Sequence, residues 1–297
     1  MSVVAWLTAP EITSPRQARA QRLYALWRAF RTNPMGLPSA LVILALILAA
    51  AAAPLLARHD PYVQDLATRL RPPDRLHILG TDELGRDVFA RLVFGARTSL
   101  AIAFLVAAIV GPVGLLIGTV AGYLGGWTDR VLMRLVDLFL AFPGLILALA
   151  FIAALGPGVD HAIMAVSLTA WPPIARLARA ETLTIRKTDY IAAARLTGAS
   201  WPRVVLRHIM PMCLPSVIVR LTLNMAGIVL TAAGLSFLGL GARPPAPEWG
   251  AMLSTGRQYL LGAWWLAAAP GLAIMMLSLA FNLLGDSLRD ALDPRRG

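Results

Sequence analysis

The chain is poor in the residues that soluble enzymes rely on. Among 297 residues there is one cysteine, Cys213, so no intrachain disulfide can form. Charged residues make up only 14%, where a soluble domain carries about a quarter. The four histidines, His59, His77, His161 and His208, are scattered and show no metal-ligand spacing, so no metal site is expected. No G-x-x-x-x-G-K-[ST] loop is present, which excludes the usual way of cradling a nucleotide phosphate. Nor does any nucleophile–base constellation stand out, so no catalytic residue and no bound cofactor is expected.

What is abundant is apolar sequence. Hydrophobic residues reach 58%, the mean hydropathy is +0.67, and apolar runs near the roughly 20 residues needed to cross a bilayer recur along the chain. This composition predicts an all-α, polytopic membrane protein. Six spans are expected, at 37–57, 97–122, 131–155, 160–179, 212–236 and 266–286. Proline and glycine punctuate them at Pro54, Pro112, Pro143 and Gly227, which membrane helices tolerate when neighbours satisfy the freed backbone groups.

The net charge of +11 would suggest nucleic acid in a soluble chain. In a membrane chain it is explained first by arginine held on the cytoplasmic side. With six spans, Arg16, Arg19, Arg22, Arg28, Arg31, Arg130, the arginines of 176–207, Lys187, Arg289, Arg295 and Arg296 fall on one side. They outnumber the basic residues of 58–96 and 237–265 by about two to one, which predicts that both termini are cytoplasmic. The N-terminal segment shows no cleavable signal-peptide pattern.

The expected organisation is therefore a cytoplasmic tail over 1–36, a first span over 37–57 and an outer loop with a short helix over 58–96. A core of further spans follows over 97–288, interrupted by a polar segment at 180–211, with a cytoplasmic tail over 289–297. In the first tail, Leu23, Leu26, Trp27 and Phe30 share a helical face flanked by Arg19, Arg22, Arg28 and Arg31. Two readings stand: a helix lying on an anionic lipid surface, or a solvated tail. In the outer loop, Asp82 is placed to cap a helix carrying Leu84, Val88 and Leu92 on one face, with Glu83–Arg86 and Asp87–Arg91 at pairing distance. This element either docks a partner through Asp82, Glu83, Arg86 and Asp87 or closes the bundle.

The polar segment "DYIAAARLTGASWPRVVLRHIMP" reads as two short helices joined at a glycine. Asp189 is placed to cap the first, Tyr190 to Thr197, and Gly198 to end it in the left-handed region. Ser200 is placed to cap the second, with Pro202 in its first turn and Pro211 as its stop. Ala192, Ala193 and Ala194 leave little relief, so another backbone can approach closely. A DNA-binding helix-turn-helix has this form, but spans clamp both ends here, and no nucleic-acid partner is expected. The adjoining "HIMPMC" offers His, Met and Cys, which are soft metal ligands, yet these residues are accounted for by the helix end and its proline.

At these residues the chain resembles a known family. Ala193, Ala194, Gly198 and the closing Pro211 match the "EAA" loop of ABC importer permeases, with Ala192 where the family often has glutamate and Met210 where it often has leucine. The blocks "ILGTDELGRDVFARLVFGAR", "AGYLGGWTDRVLMRLVDLFLAFP", "LSFLGLGARPPAPEWGAML" and "LAFNLLGDSLRDALDP" are similar to the C-type permease subunit of dipeptide, oligopeptide and nickel importers, over residues 75–295. The resemblance implies that Asp189, Tyr190, Ala192, Ala193, Ala194, Gly198, Ala199, Ser200 and Pro211 form a coupling segment seated in an ATP-hydrolysing partner. It also implies a second, B-type permease, two ATPase subunits that use ATP-Mg, an extracytoplasmic solute-binding protein and residence in a bacterial or archaeal inner membrane. Peptides are the implied cargo, with a nickel chelate as the alternative. A secondary transporter or channel would place several ionisable residues inside its spans; only Arg220 lies well inside one, as a snorkelling or path-lining charge.

Overall fold

The computed structural model describes residues 14–292, and among them the fold is all-α, with one isolated bridge between Thr81 and Asp87. Helix α1 (Pro15–Thr32) begins where the Ser14 hydroxyl accepts the Gln17 amide at 3.2 Å. Asn33–Met35 interrupts the chain before α2 (Gly36–Ala51), and a further turn, α3 (Ala53–Leu56), follows a break at Ala52. An irregular stretch then leads to α4 (Val88–Leu124), whose 37 residues run about 55 Å at 1.5 Å per residue. After Gly125 the chain continues as α5 (Gly126–Leu140), α6 (Gly144–Leu155), α7 (Val159–Ala170) and α8 (Pro172–Ile185). The segment α9 (Asp189–Leu196) and the turn α10 (Trp201–Val204) lead through a widened turn, Val205–Ile209, into α11 (Met210–Phe237). A short helix α12 (Trp249–Gly256) and a final helix α13 (Trp265–Leu292) complete the chain.

Helix α4 is the hub, touching α2, α5, α7, α8 and α11, while α13 lies across α1, α2, α11 and α12. Helices α4 and α8 approach each other closely. Gly114, Gly118 and Gly122 recur every fourth residue and so share one stripe of α4. A β-carbon on any of them would fall within 3 Å of Ile174, Ala175, Ala178 or Thr182 on α8. Small residues at this spacing let two membrane helices bring their backbones together.

Among the described residues, length and composition give three helices able to cross a bilayer: Val88–Leu124, the continuous Trp201–Phe237 and Trp265–Leu292. A fourth is counted if α5 and α6, bent by 93°, form one span. The six expected spans are thus not six uniform rods. Pro143 and Gly144 break the third expected span into the bent pair α5–α6. The fourth, 160–179, is split at Trp171 by Pro172 and Pro173 into α7 and α8. Twelve-residue α7 rises only about 18 Å, short of a hydrocarbon core of about 30 Å. The apolar α2 is also shorter than the expected first span and stops at Ala51.

In the N-terminal segment a helix forms and docks on α13, with the Asn33 amide donating to Asp290 at 3.2 Å. Trp27, Arg28 and Arg31 are exposed on it. The side chains of Arg19, Arg22, Leu23 and Leu26 lie outside the described residues, as do Arg295 and Arg296.

Candidate functional site

Two polar regions lie at opposite ends of α4. At its C-terminal end sits the segment 186–211. Helix α9 starts one residue earlier than the sequence suggests: Thr188 occupies the N-cap and Asp189 lies in the first turn, where its charge still suits the helix dipole. Gly198 has φ +77°, as the left-handed helix end requires. Ser200 holds the N-cap of α10 in an extended conformation, without a side-chain hydrogen bond, and Pro202 sits in the first turn.

Pro211 does not stop the second helix. The preceding turn widens instead, with the Met210 amide reaching back five residues to the Val205 carbonyl. A widened turn relieves the clash between a proline ring and the carbonyl four residues earlier, so the helix passes from Trp201 to Phe237 without ending.

Ile191 anchors α9 and is wholly buried, with Val204, Val205 and Ile209 also buried beneath the segment. The opposite face is open. Tyr190, Ala192, Ala193 and Trp201 are exposed, Leu196 is 90% exposed, and Ala194 and Ala199 are half-buried. These exposed side chains form an apolar surface on an otherwise polar segment. Two side-chain braces hold this surface in place. The Tyr190 hydroxyl and His208 Nδ1 form a 2.7 Å hydrogen bond. The Arg195 guanidinium lies 4.8 Å from the Tyr123 ring centroid and donates through Nε to its hydroxyl at 3.2 Å.

Helix α8 carries that surface, and arginines bolt it to α4 and α5. Arg179 grips Asp129 with both nitrogens at 2.5 and 2.6 Å, Arg176 reaches Asp137 at 2.5 Å, and Arg186 donates to the Gly122 carbonyl at 2.7 Å. The "HIMPMC" residues diverge: His208 turns to Tyr190, whereas buried Cys213 meets the Thr182 hydroxyl at 3.7 Å.

At the other end of α4 the acidic and basic residues of 82–91 are paired differently from expectation. Asp82 caps no helix. Its Oδ1 accepts the amides of Leu84 and Arg86 at 2.9 Å, closing a tight turn whose Gly85 has φ +74°. A β-carbon at Gly85 would lie 1.7 Å from the Asp65 carbonyl oxygen, so only glycine fits there. Asp87 is the true N-cap of α4, accepting the Ala90 amide at 2.7 Å. Glu83–Arg86 pairs as expected at 2.8 Å. Arg91, however, leaves Asp87 and reaches Asp82 at 3.4 Å and the carbonyls of Pro61 and Pro245 at 3.1 and 3.3 Å. Asp82, Arg86 and Asp87 are buried within the chain, where they knit the loops together, and Glu83 is the most open of the four.

Sequence reasoning passed over Glu248, which is buried, caps α12 through the Gly250 and Ala251 amides and accepts the Ser99 hydroxyl at 3.1 Å. The signal was the acidic residue before an apolar helix in "PEWGAML". It also passed over the Gly114, Gly118 and Gly122 stripe, which was readable from its spacing. Arg220 is exposed about 28 Å along the helix from Trp201, at a hollow of about 500 Å³ shared with Glu181, Ser216 and Arg289.

Known proteins carry the same pattern. Residues 114–297 match the family described as binding-protein-dependent transport system inner membrane component, and residues 23–73 match the N-terminal TM domain of oligopeptide transport permease C. The probable D,D-dipeptide transport system permease protein DdpC of Escherichia coli K12 is 41% identical over 95% of this chain and 94% of its own length. The di/tripeptide transport system permease protein DppC of Pseudomonas aeruginosa UCBPP-PA14 is 42% identical over 92% of both. The glutathione transport system permease protein GsiD of Escherichia coli O6:K15:H31 is 43% identical over 97% of this chain and 95% of its own length. In structure, a chain of the inward-facing MetNI methionine ABC transporter superposes with a TM-score of 0.55 at 23% identity, over 68% of this chain and 97% of that one, a likeness of fold. On the strength of the family match and of relatives above 40% identity along nearly the whole chain, this protein belongs to the inner-membrane permease components of binding-protein-dependent ABC importers.

Proposed function

We propose that the chain is the C-type permease of a peptide importer and hydrolyses no ATP itself. It pairs with a second permease to enclose the solute path, and two ATPase subunits drive the pair. An extracytoplasmic binding protein delivers the cargo. Short peptides are the class of solute, because the relatives named above are permeases for D,D-dipeptides, di- and tripeptides and glutathione. Both termini and the 186–211 segment then lie on the cytoplasmic side, in keeping with the arginine bias.

The observation that carries this reading is the double character of α9. Its outer face, with the start of α10, leaves Tyr190, Leu196 and Trp201 uncovered, while Ile191, His208 and Tyr123 brace it from behind. A surface that is apolar, exposed and rigidly mounted suits a partner that pushes on it. The push passes to α8 and, through the glycine stripe, to α4, because backbones in contact have no slack to absorb a displacement.

Co-expression with the neighbouring ATPase and permease genes tests the proposal. The tagged chain is expected to bring down both proteins, and the assembly to hydrolyse ATP in response to peptide-loaded binding protein. Robust ATPase activity from the isolated chain, surviving removal of contaminants, would refute it.

A further inference from the structure

The histidines that look unrelated in sequence are not all apart in space. His59 follows α3, His77 lies eighteen residues on in the irregular stretch, and Asp87 caps α4; one ligand atom from each lies within 4.8 Å of the others. We propose that His59, His77 and Asp87 form a binding site for a first-row divalent metal ion, zinc foremost, at the end of the bundle remote from α9.

The donor set and its geometry carry the assignment. Asp87 Oδ2 is 2.8 Å from His77 Nδ1 and 3.6 Å from His59 Nδ1, and the two imidazole centroids are 4.8 Å apart. A tetrahedral ion with ligand bonds of about 2.0–2.1 Å holds its donors roughly 3.3 Å apart, so the site forms when the two Asp87 contacts adjust by under about 1 Å and the ligand atoms of the two imidazoles, within 4.8 Å of each other, close by up to about 1.5 Å. Two imidazoles and one carboxylate favour zinc and its neighbours over magnesium or calcium, which prefer all-oxygen shells.

The supporting contacts orient the ligands. Asp87 uses Oδ1 for the Ala90 amide, which leaves Oδ2 turned towards both rings. The His77 amide is held by Asp74 Oδ1 at 2.6 Å, which fixes that residue's backbone. Such second contacts pre-aim metal ligands. The N-terminal end of α4 carries a partial positive charge that opposes a cation, and the Asp87 carboxylate is the counter-charge placed there. Side-chain exposure rises from 4% at Asp87 to 13% at His77 and 40% at His59, which leaves an entry path and a fourth position for water. A bound ion would tie residues 59–77 to the start of α4, alongside the Arg91 links.

Zinc itself is the probe. Tag-free, full-length chain in nanodiscs, stripped with a chelator, would be titrated with Zn2+ against a chromophoric competitor, and its metal content measured after desalting. One Zn2+ per chain is expected, with Co2+ giving the visible absorption of a tetrahedral site. His59→Ala, at the exposed ligand, and Asp87→Asn, which keeps a side chain able to cap α4, are each expected to weaken Zn2+ binding at least about tenfold. His161→Ala and His208→Ala are expected to leave it unchanged. Failure of the wild-type chain to retain Zn2+ would overturn the proposal. So would binding that survives both His59→Ala and Asp87→Asn.

Discussion

Gly118 on α4 lies so close to Ala175 on α8 that a β-carbon added to it would stand 2.2 Å from the Ala175 carbonyl oxygen. Backbone cannot yield as a flexible side chain can. Gly118→Val is therefore expected to force α4 and α8 apart and to destabilise the chain by about 3 kcal/mol or more, the upper range of overpacking costs. Gly227→Ala is the control, since nothing lies within 4 Å of a β-carbon there. Thermal stability in detergent should fall for the first variant only, and equal stability of the two would show that the contact can relax.

Arg91 joins three separate stretches through Asp82, Pro61 and Pro245. Arg91→Met keeps much of the volume but leaves two carbonyls short of a donor, at about 1–3 kcal/mol each when buried. Hydrogen exchange should rise in 58–87 and in 241–248 together. A rise confined to one stretch would show that Arg91 is not the shared link.

The 186–211 segment is tested by size and by backbone. Ala194→Trp puts a large ring on the half-buried edge of the proposed docking face. Gly198 has open space around it, so Gly198→Val meets no clash; its cost is conformational, about 1–2 kcal/mol for a side chain held at φ +77°. In the assembled importer, both are expected to lower substrate-stimulated ATP hydrolysis severalfold while membrane insertion persists. Ala192→Glu adds an exposed carboxylate and is expected to be tolerated. Full coupling in both Ala194→Trp and Gly198→Val would remove the docking assignment.

Arg220 stands in the middle of a long apolar helix, where an unpaired charge facing lipid costs about 2.5–3.5 kcal/mol on insertion scales. It stands at a hollow lined also by Glu181 and Arg289. If that hollow belongs to the solute path, Arg220→Leu should reduce peptide uptake at normal assembly. Unchanged uptake would place the residue outside the path.

The sequence by itself determined what depends on short-range or summed properties. Apolar content decided the membrane, because each buried residue adds to the same transfer energy wherever it sits. The local chemistry of glycine and of helix starts located Gly198 and the Ser200 N-cap position within one turn. Tertiary structure decided what depends on partners distant in the chain. Arg91 finds carbonyls 30 and 154 residues away, so the expected Asp87–Arg91 pair, plausible along an isolated helix, loses to three contacts that folding brings together. Pro211 was expected to end a helix by the rule for regular turns, and a widened turn set among buried Val204, Val205 and Ile209 lets the helix continue. His59 and His77 carry no spacing signal, since the loop between them has no period; only its fold over the start of α4, pinned where Gly85 meets Asp65, places both rings beside Asp87.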